Sequence, residues 1–198
     1  MKSFTQGVMA VAAGLIFTAV SGAPSFAQAT TWQIDPAHAN AQFTVRHLGI
    51  SNVSGQFNKL SGTVVLDEKD VTKSSVTATV DASSVDTRNE NRDNDLKSDG
   101  FFDVAKFPTW TFTSTKITSN GPGKLTMVGN LTIKGVTKEV TFDVDGPSDP
   151  TEFPPKVTRR GASATTTIHR TDFGVSKYPS AMVGDDVKIV LDIEFVKK

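Results

Sequence analysis

The sequence contains no cysteine among its 198 residues. This absence excludes disulfide bonds, cysteine-type zinc sites and thiol catalysis. The chain has the length of one domain and can bury a substantial core. Its stability must therefore come from that core.

The chain also lacks an excess of either charge, because 21 basic side chains balance 21 acidic ones. A nucleic-acid partner would require a basic face, and an anionic membrane surface would attract a cluster of lysine and arginine. The sequence has neither feature, so we expect no nucleic-acid partner.

Residues with catalytic potential are scarce. The sequence has three histidines, and it contains no GxSxG, HExxH or phosphate-binding glycine-rich motif. His38 and His47 could together hold a metal ion or act as an acid–base pair. A turn histidine and a buried, hydrogen-bonded histidine are the more ordinary interpretation. We therefore expect no metal site, no cofactor and no catalytic residue.

One uncharged run stands near the N-terminus. It covers the thirteen residues from Val8 to Val20, follows Lys2, and precedes small residues that end at Ala27. This is the layout of a secretory signal peptide, and the run is shorter than the roughly 20 residues that span a bilayer. We predict that residues 1–27 are cleaved. Residues 28–198 would then form one periplasmic domain without stable membrane insertion.

Beyond Thr31, apolar and polar residues alternate with the period of a strand that has one buried face. The alternating stripes cover residues 41–45, 60–66, 76–80, 110–112, 125–133, 140–144 and 187–195, with a less decisive threonine-rich strand at 164–170. About eight strands with short links predict an all-β antiparallel meander. Closure into an eight-stranded barrel would leave no exposed edge, whereas a β-sandwich is the competing architecture.

Residues 88–107 break the alternation. Thr87 and Glu90 stand in the relation of a capping box, which predicts a short helix over residues 88–98. Three phenylalanines follow in this excursion, at positions 101, 102 and 107. They could line or plug the mouth of a barrel, or they could pack beneath the helix as ordinary core.

Two short segments combine charge with the ends of predicted elements. Arg92 lies beside Asp93 on the predicted helix, and Arg170 and Asp172 lie where a strand gives way to a loop. Arg170 shares the parity of Ile168, which predicts an inward side chain, and a buried arginine needs a partner. It could hold a ligand head group, or it could pin the loop to the barrel through a carboxylate.

Several motifs in this order resemble the YceI-like family. They extend over nearly the whole mature chain and comprise residues 32–38 (WQIDPAH), 43–49 (FTVRHLG), 84–89 (SVDTRN), 101–104 (FFDV), 129–137 (GNLTIKGVT) and 170–174 (RTDFG). The resemblance implies a lipocalin-like barrel, in an exported protein, that binds polyisoprenoids or other long-chain lipids. It implies no reaction as the shared function.

On this basis we expect a binding or carrier protein for a polyisoprenoid, an isoprenoid quinone or a similar lipid. The side chains expected to line its apolar cavity are Phe43, Val45, Trp110, Phe112, Met127, Leu131, Phe142 and Phe173. The polar residues expected at the rim, where they could hold a head group, are His38, His47, Arg92, Arg170 and Asp172.

Two other functions remain open from the sequence. One is an enzyme that acts on such a lipid through His47 with Asp172 or Arg170. The other is a stress-related interaction domain whose barrel is filled by its own side chains. An imperfectly closed edge could also support a homodimer, although nothing in the sequence requires one.

Overall fold

The computed structural model describes residue 1, residues 29–152 and residues 156–198. Apart from Met1, the predicted signal peptide at residues 1–27 lies outside the described residues, as does its cleavage site.

The described residues form eleven strands and one α-helix. In chain order they are β1 (Thr30–His47), β2 (Ser51–Phe57), β3 (Leu60–Leu66), β4 (Ser75–Asp81), β5 (Val85–Asp86), α1 (Glu90–Lys97), β6 (Thr109–Ser119), β7 (Lys124–Ile133), β8 (Val136–Asp145), β9 (Thr151–Glu152), β10 (Thr158–His169) and β11 (Val183–Lys197). Short 3₁₀ turns occupy Val71–Lys73, Ala82–Ser84 and Arg170–Phe173.

These strands form a closed antiparallel barrel with eight positions around its wall. We call each position a stave, and a stave is either one long strand or two short strands that continue one another. β1 pairs with β2 along residues 41–47 and with β3 along residues 30–33, so β2 and β3 together make one stave. β4 and β5 continue one another in the same way across the turn at Ala82–Ser84. β11 pairs with β1 and closes the ring. The predicted eight-stranded barrel is confirmed, and the structure is a single closed sheet rather than a sandwich.

The wall is not equally continuous around the barrel. β10 pairs with β11 from Arg159 to His169, and β7 pairs with β8 over the whole of β8. Between β8 and β10, however, the ladder covers only residues 143–145 and 163–165. We call this short ladder the seam.

β1 begins eleven residues before the first predicted stripe. Its register against β11 shifts between Ile34 and Ala39, so the segment that contains His38 is a bulge within a strand. The sequence interpretation of this segment as a turn before the strand was wrong. Pro36 lies in the bulge, where the loss of a ladder hydrogen bond is tolerated.

Helix α1 begins two residues later than predicted. Asn89 is its N-cap, and the side-chain oxygen of Asn89 accepts a hydrogen bond from the Arg92 N–H at 3.0 Å. The expected capping box does not form, because the hydroxyl group of Thr87 instead donates to Asp93. The helix has no fully buried residue, so its attachment depends on the chain that follows it.

Buried apolar side chains lie at both ends of the barrel. At the end formed by the start of β1 and the end of β11, Trp32, Leu66 and Phe195 form a separate buried cluster, with Trp32 and Phe195 edge to face at 5.6 Å. At the opposite end, which we call the helix end, Phe101 and Phe102 follow α1 and are buried. Phe173 packs at the same end, in the turn after β10, and is 2% exposed.

Candidate ligand-binding cavity

The interior of the barrel contains a cavity of about 200 Å³ with apolar walls. Inward residues of nearly every stave contribute, because side chains at alternate positions of a strand share a face. Its lining includes Ile34, Phe43, Phe57, Leu60, Trp110, Phe112, Ile117, Leu125, Met127, Leu131, Phe142, Ala164 and Leu191. The barrel is therefore not completely filled by its own side chains.

A second cavity of about 90 Å³ lies at the helix end. The excursion after β5 and the turn after β10 roof it, and its lining includes Val45, Leu96, Phe101, Phe102, Ile168, Arg170, Phe173 and Val175. Phe101 and Phe102 thus do both things that the sequence left open, because they are buried and also line a cavity near the barrel end. Phe107, the third phenylalanine, is half-buried and lines neither of the two cavities.

Three side chains line both cavities, namely Phe43, Phe57 and Trp110, and we call them the aromatic partition. Phe57 lies 4.6 Å from Trp110 and 5.7 Å from Phe43 between ring centroids. Phe102 packs edge to face on Trp110 at 4.7 Å from the side of the smaller cavity. Such edge contacts are the favoured geometry of aromatic pairs.

All eight residues predicted to line a cavity border one of the two cavities. Phe112, Met127, Leu131 and Phe142 line the larger one, Val45 and Phe173 the smaller one, and Phe43 and Trp110 both. Whether they contact a ligand remains a prediction. Residues such as Phe57 and Leu96 were missed because they lie outside the alternating stripes, and only the folded chain brings them to the interior.

The structure does not bring the two predicted rim histidines together. His47 is the last residue of β1 and His38 lies in the middle of this strand, nine positions away, which corresponds to roughly 30 Å along a strand. His38 is exposed and its Nδ1 lies 3.0 Å from Asp35 Oδ2, whereas His47 is half-buried at the helix end. Neither histidine lines either of the two cavities.

The Arg92 side chain forms hydrogen bonds to the residue that precedes the segment 88–107. Its Nε donates to the Thr87 hydroxyl oxygen and its guanidinium also donates to the Thr87 carbonyl oxygen, both at 2.7 Å. Thr87 is itself 3% exposed and binds Asp93. Arg92 and Asp93 therefore clamp the start of α1 to the chain before it.

Arg170 points inward as predicted, but its partners are carbonyl groups and not a carboxylate. Its guanidinium donates to the backbone oxygens of Val175, Tyr178, Val183 and Gly184. Burial lowers the pKa of Arg170, and the charge of Asp185 opposes this effect. These four bonds hold the loop between β10 and β11 against the barrel, while Asp172 is exposed.

A charged cluster lies beside the bulge of β1, away from both cavities. The Arg159 guanidinium donates to Asp35 at 2.7 Å and to Glu194 at 3.3 Å. Asp35, His38 and Glu194 could offer metal ligands, since their ligand atoms lie within 4.8 Å of one another. Arg159 already forms ion pairs with both carboxylates, so we interpret the cluster as an ion-pair network that fastens β1 to β10 and β11.

Among the described residues, no helix has the length and apolar character needed to cross a bilayer. A closed eight-stranded antiparallel barrel around an apolar cavity defines the class of lipocalin-like binding barrels. The sequence profile of the YceI-like domain matches residues 32–195. The chain therefore belongs to the YceI-like family.

Relatives in distant bacteria are similar over nearly their whole length. A UPF0312 protein of Vibrio parahaemolyticus is 38% identical over 180 residues, which cover 88% of this chain and 92% of the relative. A UPF0312 protein of Staphylococcus aureus is 38% identical over 173 residues, which cover 84% of this chain and 97% of the relative.

Solved structures share the barrel. The Campylobacter jejuni YCEI protein has a TM-score of 0.70 at 31% identity and covers 77% of this chain and 90% of its own. Burkholderia cenocepacia BcnA has a TM-score of 0.72 at 24% identity, covering 81% and 98%. A Saccharophagus degradans domain described as polyisoprenoid binding has a TM-score of 0.63 at 14% identity, covering 85% and 99%. At such low identities the last two show likeness of fold alone.

Proposed function

We propose that this protein binds the apolar chain of a polyisoprenoid, an isoprenoid quinone or a similar long-chain lipid inside its barrel and carries it between membranes or enzymes. The observation that carries the proposal is the apolar cavity of about 200 Å³, whose walls come from the inward faces of the staves. The neighbour from Saccharophagus degradans that is described as polyisoprenoid binding shares this barrel fold, and our proposal extends its ligand class to this chain.

Apolar burial supplies the driving force. At about 0.8 kcal/mol per methylene-sized group, one five-carbon unit contributes roughly 3 to 4 kcal/mol before the cost of ordering the chain. An engineered apolar cavity of about 150 Å³ holds benzene, so the larger cavity has room for the first part of such a chain. A longer chain would have to displace the aromatic partition and extend into the smaller cavity.

We place this role in the periplasm, on the strength of the signal-peptide layout at residues 1–27. A soluble carrier is needed there because a long apolar chain does not cross water unaided. A homodimer stays a prediction, and the carrier role does not depend on it.

Binding rather than catalysis is the role that the contacts favour. The catalytic alternative required His47 to act with Arg170 or Asp172. Arg170 donates to four backbone carbonyl oxygens, and Asp172 is exposed, so neither supports a histidine base within a cavity. The cavities likewise favour binding over a filled interaction domain.

Native mass spectrometry of the exported protein, purified without detergent, tests the proposal. We expect one long-chain isoprenoid or lipid per chain, identified by organic extraction, on a polypeptide that lacks residues 1–27. A protein that is free of lipid, and that also takes up neither added polyprenols nor added quinones, would contradict the binding role. A polypeptide of full length would contradict the export proposal alone.

A further inference from the structure

Apart from Met1, the large apolar side chains exposed on the described part of the chain lie on two adjoining turns. They are Leu48, Ile50 and Met182, which are 49%, 77% and 43% exposed. Leu48 and Ile50 belong to the turn between β1 and β2, and the Leu48 N–H donates to the carbonyl oxygen of Met182, just before β11, at 2.8 Å. We call these three side chains the apolar tip. Single exposed apolar side chains are ordinary, whereas a group of them marks an interaction site.

Leu48 also has an unfavourable backbone conformation. Its φ is 50° and that of Gly49 is 71°, and the Ile50 N–H donates to the His47 carbonyl oxygen at 3.0 Å. Two positive φ values are typical of a type I′ turn, whose first central position favours asparagine, aspartate or glycine. A leucine is strained in this region. Neither the local conformation nor core packing therefore explains a leucine at this position.

The turn between β7 and β8 has the same two positive φ values and shows how such strain can be offset. Lys134 has a φ of 50° and Gly135 one of 76°. The Lys134 ammonium group donates to the carbonyl oxygens of Asp99 and Gly174 at 3.1 and 3.4 Å. The Leu48 side chain has no donor, and about half of it faces solvent. A surface that covers Leu48 would supply the compensation.

The charges around the apolar tip are compatible with a phospholipid bilayer. The two segments that form the tip, residues 44–56 and 173–184, contain the basic residues Arg46 and Lys177 and no acidic residue. Lys177 pairs with Asp95 of α1, whereas Arg46 is exposed. Phospholipid head groups carry phosphate, so the tip can approach them without repulsion from carboxylates of its own segments.

The size and position of the tip favour a bilayer over a second copy of the chain. A stable dimer buries about 800 Å² on each partner, whereas three partly exposed side chains on two turns offer only part of that area. A bilayer has no such minimum, because the strength of insertion scales with the apolar area that is buried. Val183, which follows Met182, lines the smaller cavity, so the tip lies at the helix end.

We propose that the apolar tip docks this protein on phospholipid bilayers, with Leu48 and Ile50 inserted among the lipid head groups, and that docking brings the helix end to the membrane for lipid exchange. The exchange rests on the proposed lipid-binding function, whereas docking can be measured on a protein that holds no lipid. The contact is reversible, because the inserted area is small.

The double variant Leu48→Asn, Ile50→Ser tests the docking. Asparagine is favoured in this turn and Ile50 is exposed, so the free energy of unfolding in urea should not fall. We expect the variant to co-sediment with phosphatidylcholine vesicles about tenfold more weakly than the unaltered protein, equivalent to about 1.4 kcal/mol. It should also transfer a pyrene-labelled lipid between vesicles more slowly.

Lys134→Asn is the matched control, because it makes the same replacement in the equivalent turn and removes no exposed apolar side chain. Its binding to the uncharged vesicles should stay within about twofold of that of the unaltered protein. A cysteine-free chain also allows single labels. An environment-sensitive dye on Ser51→Cys, beside the tip, should shift its emission to the blue with vesicles, whereas the dye on Thr165→Cys, on the exposed outer face of β10, should not.

Equal vesicle binding by the double variant and the unaltered protein would overturn the inference and leave lipid binding in the barrel intact. A dimer that the double variant dissociates, with vesicle binding unchanged, would overturn it too and assign the tip to a second copy. If a protein that takes up no lipid still binds vesicles through Leu48 and Ile50, the docking is supported and the proposed function fails.

Discussion

Asp35 lies in the bulge of β1 among three hydrogen-bond donors. The Arg159 guanidinium, followed by His38 and the Ala37 N–H, lowers the pKa of Asp35 from 3.8 to about 2. Because the folded-state pKa is below the unfolded one, the carboxylate stabilises the fold above about pH 4, and this contribution disappears as the pH falls through about 2.

We therefore expect Asp35→Asn to lower the free energy of unfolding by about 1 kcal/mol at neutral pH, after allowance for solvent screening at this partly exposed site. Urea unfolding near pH 7 and near pH 2 measures the effect, which should shrink at the lower pH. The exposed Glu152→Gln change should show no such loss. A deficit for Asp35→Asn that is the same at both pH values would contradict this account.

Arg170 supports the loop after β10 by geometry as much as by charge. Its planar guanidinium reaches four carbonyl oxygens in different directions, whereas a lysine ammonium has three donors on one atom. Arg170→Lys should therefore lower the free energy of unfolding by about 2–4 kcal/mol, since buried carbonyls lose their donors.

Chemical denaturation measures this loss, and Arg46→Lys is the control. Arg46 is exposed and donates one hydrogen bond to Asn52 at 3.2 Å, so its replacement should change stability by less than about 0.5 kcal/mol. Equal effects of the two lysine variants would show that Arg170 contributes only its charge.

At the scale of elements, we expect two glycines in strands to respond in opposite ways to replacement by alanine. A methyl group on Gly129 of β7 would lie 2.4 Å from the Phe112 ring and 2.5 Å from the Thr113 carbonyl oxygen. A methyl group on Gly161 of β10 would meet only the Ile193 carbonyl oxygen, at 3.7 Å. The glycine in β7 therefore makes room for an aromatic residue of the cavity wall.

Gly129→Ala should lower the free energy of unfolding by about 1–3 kcal/mol, because backbone and ring must both move. Gly161→Ala should be neutral or slightly stabilising, since alanine restricts the unfolded chain more than glycine does. Thermal unfolding of the two variants side by side measures the difference. A well-tolerated Gly129→Ala would mean that Phe112 can be displaced freely into the cavity.

The staves were predictable because alternation is a local signal. The stripes at residues 125–133 and 187–195 fall inside β7 and β11, and their inward faces line the cavity. The bulge that contains His38 was not predictable, since it depends on the register between β1 and β11. The same applies to Arg170, whose parity indicated an inward side chain but could not identify carbonyl groups as its partners. The aromatic partition joins residues from three staves, and no single stripe encodes it.

At the scale of the whole molecule, the proposed lipid binding depends on space inside the barrel. Ala164 of β10 is 7% exposed, pairs with Val144 and Leu191, and lines the larger cavity. Ala164→Phe would place a ring in that space. We expect it to abolish lipid uptake while changing the free energy of unfolding by less than about 1.5 kcal/mol, because the ring fills a cavity and does not overpack a dense core.

Thr165→Phe introduces the same side chain one position along, on the exposed outer face, and should bind lipid normally. Mass spectrometry of the lipid-loaded variants counts the bound molecules. Normal uptake by Ala164→Phe would place the ligand elsewhere on the protein.

We expect the closed sheet to open first at the seam, where β8 would separate from β10. A structure opens first where the fewest backbone hydrogen bonds must break, and here that line follows β8 and β10, with only residues 143–145 and 163–165 laddered. The first and last strands, β1 and β11, are joined by a longer ladder of their own. We therefore expect hydrogen exchange of backbone amides to be faster along the seam than along the ladder between β1 and β11.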